Sequence, residues 1–280
     1  MPGKIEDSAL IGDTATAALV GRDGSIDWLC VPRFDSAASF AALLGEPENG
    51  RWLIAPKGGV RSVKRRYRGD TLVLETEFTT EDGVVALIDF MPISSRGCID
   101  LVRIVEGRGG TVPMSMEVQF RFDYGRTIPW VRRREYGLSA IAGPNGLNLR
   151  TPVKMRGEGF ATVAEFNVSK GETVPFTLAW FPSHTDAPGP LHPLRHLRET
   201  EQWWQQWSSR CTYQGPWRDV VMRSLLALKA LTYSATGGIV AAPTTSLPED
   251  IGGVRNWDYR YCWVRDATFT LYALSISGYN

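Results

Sequence analysis

The hydrophobic period of this chain changes once, near Pro182, and that change limits the fold more than any other feature. From about Asp13 to Pro182, short apolar runs are punctuated by glycine turns. Beyond Pro193, apolar residues recur at roughly helical spacing. A period of two suits a pleated strand and a period of 3.6 suits a helix, so the two stretches cannot build one kind of layer. Pro188, Pro190 and Pro193 follow Pro182 closely and read as a linker between them.

In the first stretch, Thr16–Val20 and Ser25–Leu29 flank Gly21-Arg22-Asp23-Gly24, a hairpin signal. Thr71–Thr79 and Val84–Met91 flank Glu81-Asp82-Gly83, a second one. Further strands are expected at Arg51–Ala55, Leu101–Glu106, Val112–Phe122, Gly146–Arg150, Ala161–Val168 and Thr173–Trp180. Many strands with short turns and no helical pattern between them predict a large antiparallel β-sandwich. In the second stretch, Leu194, Leu197, Trp204 and Trp207 predict a helix over Pro193–Ser209. Val220, Val221, Leu225, Leu228 and Leu231 predict another over Trp217–Ala235, ended by Gly237-Gly238. Ala241–Tyr259 reads as a long loop, and a third helix starts near Trp263 with Leu271, Leu274 and Ile276. The fold class is therefore β + α multidomain: a β-sandwich over 1–182, a linker with a helix over 183–215, and an α-helical region over 216–280.

Composition narrows the function. Lys+Arg 31 against Asp+Glu 30 leaves a formal net charge of +1, no basis for a nucleic-acid-binding surface. The basic runs Arg61–Arg68 and Arg132–Arg134 fit solvated faces of alternating strands. No apolar run approaches membrane-spanning length, and MPGKIEDSAL lacks a basic region followed by an apolar core, so neither a membrane partner nor a signal peptide is expected. Cys30, Cys98, Cys211 and Cys262 stand far apart, which suits buried free thiols in a cytoplasmic protein. His192 and His196 have helical metal-site spacing, but Pro193 lies between them and no HExxH glutamate accompanies them. No metal and no cofactor is expected.

The chemistry points to Ile251–Thr270, IGGVRNWDYRYCWVRDATFT. Trp257, Tyr259, Tyr261 and Trp263 alternate there with arginines and aspartates. Flat aromatic faces take the C–H faces of a sugar, while carboxylate and guanidinium groups take its hydroxyls. The plainer reading of Arg265–Asp266 is an ion pair at a helix start, and of Tyr259, Trp263 and especially Trp257 core packing. Trp28, Arg33, Phe34 and Asp35 in DWLCVPRFDS fit either a strand end packed on the sandwich or a loop reaching a pocket rim.

Two segments, Ile5–Gly45 (IEDSALIGDTATAALVGRDGSIDWLCVPRFDSAASFAALLG) and Pro243–Leu274 (PTTSLPEDIGGVRNWDYRYCWVRDATFTLYAL), resemble glycoside hydrolase family 15, the glucoamylase, glucodextranase and trehalase family. The resemblance implies that 216–280 holds the first helices of an (α/α)6 barrel, incomplete here, whose loops form a pocket at one end. It implies that Arg265 and Asp266 bind hydroxyls of a non-reducing glucose, with Tyr259 and Trp263 as the aromatics of that subsite. The implied substrates are terminal α-glucosidic bonds, α,α-trehalose first and α-glucan ends second. The implied chemistry is inverting hydrolysis by two carboxyl groups roughly 6.5–9.5 Å apart. In the family both are glutamates on later barrel loops, with no counterpart up to Asn280, so no catalytic residue is assigned and this stretch alone should not hydrolyse. Glu249, Asp250 and Asp258 are nearby carboxylates without an assigned role. The alternative is a carbohydrate-binding or scaffolding β-sandwich module. An incomplete helical ring should leave apolar helix faces exposed, or packed on the sandwich or on a second copy in a homo-oligomer.

Overall fold

The computed structural model describes residues 4–93, 98–135, 137–248, 250 and 252–279. Glu249, one of the carboxylates named above, lies outside the described residues. Among them, fifteen strands join in one antiparallel hydrogen-bonded network. Both expected hairpins form, as Ala17–Val20 with Ser25–Cys30 and as Leu74–Thr80 with Gly83–Phe90.

The hub is one strand of 20 residues, Asp100–Gln119, where two strands were expected. Its first half pairs with Gly83–Phe90 on one side and Thr173–Pro182 on the other. Its second half pairs with Arg51–Pro56 and Ala161–Ser169. The strand thus passes from one layer to the other. The corner lies at Gly107–Gly110, where the register with Gly83–Phe90 shifts. A Cβ on Gly107 would stand 2.1 Å from the Ser169 carbonyl oxygen, and Gly110 takes φ +65°, so both positions need glycine.

Alternation along the hub sorts its side chains. Leu101 and Val105 face the interlayer core with Trp52, Ile54, Leu87, Met114 and Phe176. Val102 and Ile104 face outward and are covered by Leu191 and Leu197. A strand buried on both faces loses the polar alternation of an open sheet. Arg103 breaks the apolar run yet is fully buried. It donates to both Asp89 oxygens (2.7 and 3.3 Å), to Trp52 O (2.6 Å) and to Gly24 O (2.6 Å). Because Trp52 and Gly24 belong to the opposite layer, Arg103 ties the layers together through the core.

Helix α1 (Pro193–Ser208) starts with proline at its first position, where the missing N–H costs nothing. Its buried residues Leu197, Thr200, Trp204 and Ser208 recur at helical spacing. Helix α2 (Arg218–Ala230) buries Met222, Leu226 and Ala230 against Trp204 and Leu72. It stops short of the expected end at Ala235. Tyr233 N donates to Gly238 O (2.7 Å) and Val240 N to Leu231 O (3.0 Å), so Gly237, at φ +73°, turns a small hairpin rather than capping the helix. The expected long loop contains a strand pair, Thr245–Pro248 with Asn256–Asp258. Helix α3 (Val264–Ile276) follows, and its end docks on α1, with Tyr279 stacked on Trp207 at 4.2 Å. Its outer face is apolar and open: Phe269, Leu271, Tyr272 and Ile276 are each at least 60% exposed. No helix among the described residues is long and apolar enough to cross a membrane.

Candidate functional site

In an extended segment, residues two apart share a side. Asp258 and Arg260 face the β-region, and Arg260 is 5% exposed. Its Nε and Nη2 donate to the two Asp258 oxygens (2.9 and 2.7 Å), and its Nη1 donates to Phe34 O (3.2 Å), Ser36 O (2.5 Å) and Cys30 Sγ (3.5 Å). The guanidinium also lies over the Tyr124 ring at 5.6 Å. Burial opposes its charge, but the Asp258 bonds and the neighbouring Cys30 and Tyr124 outweigh it, so its pKa rises above an ordinary arginine's. Burial opposes the Asp258 charge as well, and the Arg260 bonds outweigh it, holding that carboxyl below its usual range. Burial pushes the Cys30 thiol up to about 12. Arg260 is therefore a fixed charged clamp between the aromatic segment and the loop after Cys30.

Neighbouring backbone bonds reinforce the clamp. Ala241 N donates to Tyr261 O (3.1 Å), Ala242 N to Tyr259 O (2.9 Å), and the Trp28 indole to Pro243 O (2.8 Å). Ser234 N donates to Thr14 O (2.8 Å) in a turn held by Asp13, whose Oδ1 accepts from Ala15 N (2.9 Å) and Thr16 N (2.8 Å). Burial is the main influence on Asp13 and raises its pKa to about 6 despite those bonds.

The four residues singled out from the sequence fall into two adjacent pairs. Tyr259 and Trp263, both half-buried, stack with ring centroids 5.7 Å apart and planes 21° from parallel. Trp263 precedes the first turn of α3, and Arg265 and Asp266 lie within that turn, joined by a single 3.3 Å contact. Arg265 is exposed and Asp266 half-buried. A carboxylate there also gains from the positive end of the helix dipole, so the plainer reading of Asp266 and its sugar-binding reading are compatible. Together the pairs offer two flat ring faces, one acceptor-only group and one donor-only group, the complement of a sugar's C–H face and hydroxyls.

The 31–36 loop packs on its neighbours, the plainer of the two readings, and also borders a small cleft. Phe34 is 3% exposed and meets Tyr233 edge-on at 6.4 Å. Arg33 and Asp35 form a two-point pair through Nε (2.8 Å) and Nη2, and they line a cleft of about 140 Å³ with Tyr233, Tyr261 and Cys262. Ligand pockets commonly span about 300–1,000 Å³, so this cleft is too small to be a whole one by itself. Trp257, expected in the core, is 46% exposed. His196 Nδ1 lies 3.2 Å from Glu199, and His192 only precedes α1. Among the described residues no three His, Cys, Asp or Glu side chains cluster as a metal site.

Comparison with known proteins matches two stretches of the chain. The family described as "Trehalase-like, N-terminal" matches residues 1–180, and "Glycosyl hydrolases family 15" matches 215–280. A trehalase of Thermoplasma volcanium is 34% identical over 99% of this chain and 45% of its own length. A trehalase of Mycobacterium tuberculosis is 34% identical over 98% of this chain and 44% of its own. The chain thus spans a little under half the length of these relatives. A solved structure described as a putative kojibiose phosphorylase from human microbiome superposes with a TM-score of 0.46 at 9% identity, over 81% of this chain and 34% of that one. The match over 1–180 shows that the chain belongs to the trehalase-like N-terminal family, joined over 215–280 to a stretch of glycosyl hydrolase family 15.

Proposed function

We propose that this chain is the N-terminal part of a glycoside hydrolase that cleaves α,α-trehalose by inverting hydrolysis; glucoamylase-like hydrolysis of α-glucan ends is the alternative. In this reading 1–182 is the β-sandwich domain, 183–215 the linker, and 216–280 the first helices of an (α/α)6 barrel. Tyr259, Trp263, Arg265 and Asp266 hold the glucose whose bond is cut. A rigid grip on that ring sets its anomeric carbon for attack by water. The carboxyl groups that donate and accept the protons belong to loops outside this sequence, so the chain alone binds sugar without turning it over.

The observation that carries the reading is the stacked Tyr259–Trp263 pair beside Arg265–Asp266, on a segment that Arg260 fixes to the β-region. Calorimetry of the purified chain with trehalose, maltose and longer glucans tests it. Binding that prefers trehalose and is lost in Asp266→Ala, with no glucose released, is the expected result. Binding untouched by Asp266→Ala would favour a carbohydrate-binding β-sandwich instead.

A further inference from the structure

A cavity of about 370 Å³ opens beside the end of the hub strand, away from the aromatic segment. Val118, Phe120, Ile128, Leu138, Met155 and Phe160 give it apolar walls. Among the described residues its charged lining is all arginine: Arg121, Arg133 and Arg156. Arg121 is 6% exposed. Its Nη1 donates to Phe120 O (2.7 Å) and Phe160 O (3.2 Å), while its Nε and Nη2 meet no protein acceptor among the described residues. Burial lowers its pKa, and Glu48 offsets that only in part. Arg133 reaches only the Met155 carbonyl (3.2 Å), and Arg156 makes long contacts with Glu158 (3.4 Å) and Glu165 (3.5 Å).

The Arg121 Nε and Nη2 are not sealed from solvent, so an acceptor that enters the cavity can take their N–H groups. The other charged groups of the wall are donors too. A neutral sugar is a poorer match, because its hydroxyls also need acceptors and no carboxylate lines this cavity among the described residues. An anion matches the donors, and an apolar body matches Val118, Phe120, Leu138 and Met155. The volume admits a single ring or a short chain. We propose that this cavity is a second site, distinct from the sugar-holding segment, that binds a small organic carboxylate with its charged end on Arg121 and its apolar end between the strands.

Calorimetry of the full chain with 3-phenylpropionate tests this against two controls, the neutral 3-phenylpropanol and acetate. The carboxylate should bind at one site, about tenfold or more tighter than the alcohol, because charge-assisted bonds to Arg121 are lost in the alcohol. Acetate should be weaker than 3-phenylpropionate by about tenfold, because it lacks the apolar body. Arg121→Gln should weaken 3-phenylpropionate by about tenfold or more, and binding should fall as salt rises. Because Arg121 also ties Phe120 to Phe160, the exposed pair Arg133→Gln and Arg156→Gln serves as the second variant and should weaken binding several-fold in a folded chain. Three results would overturn the proposal: no binding at millimolar carboxylate, equal binding of the alcohol, or unchanged binding in both variants.

Discussion

Replacing Arg260 with methionine keeps most of the side-chain volume and removes the charge and every donor. In the native chain that side chain makes two bonds to Asp258, two to the Phe34 and Ser36 carbonyls and one to Cys30. Breaking a fully buried ion pair costs about 3–5 kcal/mol. The Asp258 side chain is 30% exposed and can take up water, so we place the loss at about 3 kcal/mol, the low end of that range. The loss falls on one attachment, because the core pair Arg103–Asp89 and the hub ladder do not involve Arg260. Local opening of the 240–262 stretch should therefore become about a hundredfold more frequent while the β-region stays folded. Native-state hydrogen exchange reads this directly. The Ala241 and Ala242 amides and the Trp28 indole N–H should lose about two decades of protection, and the Val105 and Leu178 amides should keep theirs. Equal loss at all these sites would show that Arg260 supports the whole fold, and no loss anywhere would show that the clamp carries no energy.

Three further outcomes follow from buried charges. Asp13 titrates near 6 in the folded chain against 3.8 ordinarily, so the native state holds the extra proton between those values. Its contribution to stability is thus fully present below about pH 4, is lost as pH rises toward 6, and is flat above. Asp13→Asn should add up to about 3 kcal/mol at pH 7 and nothing near pH 4 by urea unfolding. Asp89→Asn leaves the Arg103 charge in the core between the layers and should cost about 3–5 kcal/mol in the same assay. Asp258 behaves oppositely to Asp13. Its folded pKa lies below 3.8, so its share of the clamp is present above that value and lost as pH falls further, seen as exchange of the Trp28 indole rising first in acid.

The turns and the two-period plan were legible because they rest on local pattern. Gly21–Gly24 and Glu81–Gly83 sit between alternating runs, and the Leu197 and Trp204 spacing marks α1. Other features depend on what lies across the fold. Gly107–Gly110 looks like a turn between two strands, yet it is a corner within one, because the partners on both sides change there. The apolar pattern of α2 runs on through Leu231, but Thr232 pairs with Ile239 across the Gly237 turn, and the helix ends at Ala230. Arg260 was the residue missed at the site. The i, i+2 spacing of Asp258 and Arg260 in an extended segment was available as a signal. Its carbonyl partners on Phe34 and Ser36 lie more than 200 positions away, beyond any local reading. Leu271 was expected as a residue of α3, and its exposure, like that of Phe269, reflects what packs against the helix rather than the helix sequence.

The proposed function requires a sugar held by Tyr259, Trp263, Arg265 and Asp266. The most direct measurement is a proton NMR titration of the chain with trehalose, following the Trp263 indole, assigned by Trp263→Phe. We expect the Trp263 signal to shift saturably with trehalose in the native chain and to stay fixed in Asp266→Ala. A Trp263 signal that does not move while trehalose binds, or that moves equally in Asp266→Ala, would show that these residues do not hold the sugar.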